Sequence, residues 1–190
     1  MVNYNNQFFH GERPLFGQEH ATIVGTTFGK GESPLEESRH IKLNQSIFQY
    51  KYPLWYSQHI AVTNTIFEAM ARSGIWYTVD IAVSDSEIQA PKTFRRSQDI
   101  RLKNVHFSDA SESLWNCDHI SLDHVQASGN YFGMNSSNIV ADHLNLIGDY
   151  AFDGAKNVEM HHSTLVAKDA FWNSENVTIY DSTINGNYLG

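Results

Sequence analysis

The chain has 190 residues, a net charge of −8, 13% aromatic residues and a single cysteine. That length is one domain's worth and can bury a substantial core. The charge excludes a nucleic-acid backbone as the main partner, and one cysteine excludes an intrachain disulfide or a cysteine zinc cluster.

The opening MVNYNNQFFHGE (residues 1–12) lacks the basic start and apolar run of a signal peptide. No stretch approaches the roughly 18 consecutive apolar residues of a membrane span. A soluble, cytoplasmic protein without a membrane partner is expected. Residues 1–12 fall outside any visible pattern and read as an N-terminal cap on a single domain spanning residues 1–190.

From residue 13 onward the chain repeats. GERPLFGQEH (Gly11 to His20) is followed by GESPLEESRH (Gly31 to His40) and, more loosely, by YKYPLWYSQH (Tyr50 to His59). Taking the residue after each His as an anchor gives Ala21, Ile41, Ile60, Ile81, Ile100, Ile120, Ile139, Val158 and Val177. The steps are 20, 19, 21, 19, 20, 19, 19 and 19 residues.

Other columns follow the same period. Two after the anchor the residues are apolar from Ile23 to Ile179, and seven after it Phe28, Phe48 and Phe67 lead a second apolar column. Six before it stand Leu15, Leu35, Leu54, Ile75 and Phe94. Three before it the residues are small, as in Ser57, Thr78, Ser97, Cys117 and Ser136. The Pro-Leu belongs to the minus-six column and the His to a polar minus-one column.

Anchor, skip one, apolar is a period of two, which is a strand with one face buried. Short strands recurring every 19–21 residues, with like residues in register, imply parallel coils stacked about 4.8 Å apart. The predicted fold is all-β, a single-stranded right-handed parallel β-helix of about nine coils. Six-residue apolar periods and five-residue repeats, the marks of other solenoids, are absent. The last coil is incomplete, because its next minus-six position falls at Leu189 or Gly190. Its open edge is expected to meet a partner or a second copy, or to continue in a longer protein.

The repeat, with ERPLFG (Glu12 to Gly17), GESPLEES (Gly31 to Ser38), NYFGMNSSN (Asn130 to Asn138) and GDYAFDGAKNVEM (Gly148 to Met160), resembles a bacterial family of unknown function. The resemblance implies right-handed β-helices related to the pectate-lyase-like superfamily. It implies no activity for particular residues.

Stacked coils turn a column into a surface ladder, so sites are sought across repeats. Outward positions of the middle anchor strands bring together Asp80, Asp99, Arg101, Lys103 and His119. Paired carboxylates beside cations are the equipment of polysaccharide hydrolases and lyases, where one carboxyl carries a raised pKa. Arg101-Leu102-Lys103 loosely resembles the Arg-x-Lys of pectin hydrolases, but the accompanying Asn-Thr-Asp, Asp-Asp and Gly-His-Gly motifs are missing. The competing reading is a solvated face with cross-coil charge pairs.

At minus five and minus four stand Trp55, Tyr56, Trp76, Tyr77, Arg95, Arg96 and Trp115. They are expected to face outward, as a platform for stacking sugar rings, as a protein interface, or as a structural aromatic ladder. At plus four, His124, His143 and His162 fall on three consecutive coils, a weak candidate metal set against the simpler reading of a polar turn ladder. No resident cofactor is expected, and Cys117 reads as a buried filler. Together these features favour a non-catalytic binding or scaffold protein, with carbohydrate as the candidate partner. The alternative is a carbohydrate-active hydrolase or lyase.

Overall fold

The inward columns pack as their alternation demands. In the computed structural model, which describes residues 1–189, the anchor residues pair in register from turn to turn: Ile41 with Ile60, Ile60 with Ile81, Ile81 with Ile100. From Ala21 to Val158 each anchor and the residue two beyond it are buried, while the residues between them are mostly exposed. All sheet pairing is parallel, and no helix among the described residues is long and apolar enough to cross a membrane.

The core is built of ladders along the axis. Phe28, Phe48 and Phe67 stack with ring centroids 4.8 and 5.0 Å apart. Burying each such ring contributes on the order of 2–3 kcal/mol before ordering costs. The minus-six residues Leu35, Leu54, Ile75 and Phe94 are equally inaccessible.

The small minus-three column has a polar task. The Ser97 hydroxyl donates to the Ile75 carbonyl of the preceding turn at 3.0 Å and accepts from the Thr78 amide at 3.1 Å. Such a buried hydroxyl satisfies backbone groups that a bend leaves unpaired.

Each turn bends sharply at residues in the left-handed region. In one turn these are Tyr52 (φ 60°), Tyr56 (54°), His59 (56°) and Asn64 (48°). The strand ladder skips such positions: Val79 pairs with Gln98 and Ile81 with Ile100, while Asp80 and Asp99 stay outside the pairing. Positive φ costs most side chains, and Asn, Asp and His are among those that tolerate it best. The polar minus-one and plus-four columns are therefore set first by the backbone.

Residues 1–12 correct one expectation. Val2 pairs with Ala21 and Phe9 with Phe28, so both columns begin inside the segment read as a cap. Val2–Asn5 and Phe8–Phe9 are strands of a further turn, giving ten anchors in register from Val2 to Val177.

In the last described turn, Val177, Ile179 and Ile184 are only partly buried, whereas Val158, Met160 and Leu165 of the turn before are inaccessible. Gly190, the alternative next minus-six position, lies outside the described residues.

Candidate functional site

The minus-five column forms one continuous stack. Trp55 and Trp76 lie face to face, centroids 5.2 Å apart and planes 7° from parallel. The Arg95 guanidinium carbon is 4.6 Å from the ring centroids of both Trp76 and Trp115. Each indole N–H donates to a backbone carbonyl: Trp55 to Ser73 at 2.5 Å, Trp76 to Lys92 at 2.8 Å, Trp115 to Tyr131 at 2.6 Å.

Trp76 is covered on both faces, by Trp55 and by Arg95, and all three indoles are half-buried. Tyr56 and Tyr77 stack in turn, 4.7 Å apart, edge-on to the indoles, and Arg96 is exposed beside them.

The charged cluster is organised as ion pairs, most of them across turns. Asp80 accepts from Arg101 at 2.6 Å and contacts His59 Nδ1 at 2.7 Å. The Arg101 hydrogen bond, followed by that from His59, holds the Asp80 carboxyl below its ordinary pKa. A raised value was expected from the Asp99 carboxylate, but the Arg101 guanidinium reaches Asp80 first. Lys103 pairs with Asp123 at 3.4 Å, and His119 meets Asp118 at 2.7 Å. Asp99 follows Asp80 in the same corner column and is half-buried.

Beside the first part of this cluster lies a shallow depression of about 400 Å³, whose lining includes His40, His59, Lys42, Ala61, Ala82 and Arg101. Its floor is the small residues of the plus-one column. His20, His40 and His59 stack along its rim at 4.6 Å spacing. In the sequence these alanines show only as gaps between longer outward side chains.

The plus-four histidines also stack: His124 on His143 at 4.4 Å and His143 on His162 at 5.0 Å. Each Nδ1 meets a carboxylate oxygen, His124 that of Asp123 at 2.5 Å, His143 and His162 the same Oδ1 of Asp142 at 2.9 and 2.8 Å. Hydrogen bonding from His162 leads the causes that lower the Asp142 pKa, and that from His124 leads for Asp123. Cys117 is buried in the serine column, as expected.

Stacked parallel strands, left-handed polar corners and axial ladders define a parallel β-solenoid. The chain belongs to the family described as protein of unknown function (DUF3737), whose model matches residues 2–190. A search of curated proteins finds no match. Among solved structures, the solenoid is similar to PfbA, a surface adhesin of Streptococcus pneumoniae, at 10% identity and a TM-score of 0.56, covering 96% of this chain and 63% of that one. A second PfbA structure matches at 9% identity and 0.56, over 90% of this chain and 76% of that one. QnrB1, a plasmid-mediated fluoroquinolone resistance protein, overlaps more loosely, at 12% identity and 0.41, over 97% and 92% of the two chains. These likenesses concern the fold, and the chain spans less than two thirds of the first PfbA structure.

Proposed function

We propose that this chain is a rigid, non-catalytic binding protein whose ligand is an acidic carbohydrate chain. The observation that carries the reading is the depression floored by Ala61 and Ala82, with Lys42 and Arg101 at its two ends. Those cations stand three turns apart in one column, about 14 Å along the axis at strand spacing. That suits an extended chain bearing acidic groups at intervals. Lys42 has no ion-pair partner among the described residues, so its charge is available.

The reading does not rest on the tryptophans, because their stack takes up both faces of Trp76 and one each of Trp55 and Trp115. A relation to the pectate-lyase-like superfamily fits it, supported by the stacked parallel strands and the sequence resemblance. The adhesin likeness adds that the architecture serves binding elsewhere. The enzyme alternative needs a carboxylic acid able to donate a proton, and the Arg101 and His59 contacts keep Asp80 ionised.

The test is calorimetric titration with tri- and tetragalacturonate against neutral maltotriose. Saturable heat with the acidic chains alone, weakened at least tenfold in Lys42→Ala and Arg101→Ala, supports the reading. No heat with either class, or equal affinity for both, overturns it. Release of cleaved product during the titration, lost in Asp99→Asn, replaces it with the enzyme alternative.

A further inference from the structure

Histidines recur on two corners of this solenoid, but only one of the two ladders is supported by a carboxylate at every ring. In the His20–His40–His59 ladder only His59 meets an acid, Asp80. In the His124–His143–His162 ladder each Nδ1 is in contact with Asp123 or Asp142. A left-handed corner explains why a polar residue stands there. Asn104 and Asp181 fill the same column on neighbouring turns, so the corner alone does not ask for imidazole.

We infer that His143 and His162, the end of this ladder, form a binding site for a divalent cation of the zinc class, with Asp142 orienting both rings. An ionised carboxylate accepts and cannot donate, so each contact places the ring proton on Nδ1. The neutral imidazole then keeps its lone pair on Nε2, the tautomer that a metal takes up. Carboxylates that fix imidazoles in this way are the usual outer support of histidine metal sites.

No Nε2 of these three rings has a hydrogen-bond partner among the described residues. The rings line an open depression of about 230 Å³ together with Gln126, Asn145 and Thr164. Asp142, His143 and His162 bring ligand atoms within 4.8 Å of one another, and His124 is not part of that group.

The spacing sets what must move. Zinc–nitrogen bonds of about 2.0–2.1 Å at a tetrahedral angle place two ligating nitrogens about 3.3 Å apart. His143 and His162 stack at 5.0 Å, so binding tilts this pair together by about 2 Å, while His124 lies a further step along the ladder. His143 and His162 have 47% and 52% exposed side chains, and such rings tilt without disturbing the core. Imidazole with carboxylate favours zinc, nickel or copper over magnesium or calcium.

The experiment is calorimetric titration of the untagged protein with Zn²⁺, and separately with Mg²⁺. Asn is the substitution of choice, because it tolerates the left-handed corner and leaves the backbone undisturbed. Saturable binding of Zn²⁺ but not Mg²⁺ is expected. It should weaken at least tenfold in His143→Asn and His162→Asn and about 10–100-fold in Asp142→Asn, and stay unchanged in His40→Asn. Circular dichroism confirms that the variants fold. Absence of saturable Zn²⁺ binding in the folded protein overturns the inference. So does unchanged affinity in His143→Asn and His162→Asn, or an equal loss in His40→Asn. The site shares no residue with the Lys42–Arg101 depression, so the two proposals fail separately.

Discussion

Arg95 occupies the place of a ring in an indole stack, with its guanidinium carbon 4.6 Å from both Trp76 and Trp115. A planar cation between two aromatic faces gains attraction from each, and Glu112 Oε2, 3.6 Å away, balances the charge. Arg95→Ala is expected to destabilise the fold by about 1–3 kcal/mol in urea unfolding, from two cation–π contacts of about 0.5–2 kcal/mol each. Arg95→Lys should recover only part, since an ammonium lacks the planar face. A loss below about 0.3 kcal/mol would mean that the stack is ornamental.

The corner argument is testable where the side chain makes no other contact. Gln45 is exposed at φ 50°, in the column where the turn before carries Gly25. Gln45→Val is expected to cost about 1–2 kcal/mol, whereas Gln45→Gly should be neutral or slightly stabilising. Equal effects of the two changes in denaturant unfolding would refute a backbone origin for the column.

Cys117 takes the serine position of its turn, where burial pushes its thiol up to about 12. It is expected to resist iodoacetamide at pH 8 until the protein is unfolded in guanidinium, because the thiolate is the reacting form. Cys117→Ser should fold normally, as Ser97 and Ser136 occupy the same column on either side. Rapid labelling of the native protein, followed by mass spectrometry, would contradict the buried assignment.

Asp80, Asp118, Asp123 and Asp142 all titrate below the ordinary aspartate value of 3.8 in the folded chain. For Asp118 burial opposes the shift, and hydrogen bonds from Ser137, Asn138 and His119 outweigh it. A depressed folded pKa contributes stability that is complete above the unfolded value and lost as pH falls through the lower folded value. The thermal midpoint should therefore drop below about pH 4, and Asp80→Asn should flatten part of that drop. A midpoint that rises on acidification from pH 4 to pH 2 would reverse the sign and refute the pairing.

Much of this molecule is legible in one dimension because a solenoid repeats its environment. The anchor, plus-two, plus-seven and minus-six columns each occupy one kind of buried position turn after turn, so their residue class announces it. The first turn was harder to see. Val2 and Phe9 hold the anchor and plus-seven places, but two apolar positions alone do not announce a repeat.

The sequence by itself determined which residues share a column, that the strands are parallel and that the turns stack in register. Periodicity carries that information because backbone pairing repeats every 19–21 residues. Only the tertiary structure decided what each column does. Side-chain orientation is set by the turns above and below, and these close the indole faces around Arg95 and turn Arg101 onto Asp80 rather than leaving Asp80 to face Asp99. They also bring His162 onto Asp142 of the turn before, so that one carboxylate meets two rings, whereas Asp123 and Asp142 adjoin His124 and His143 in the sequence itself.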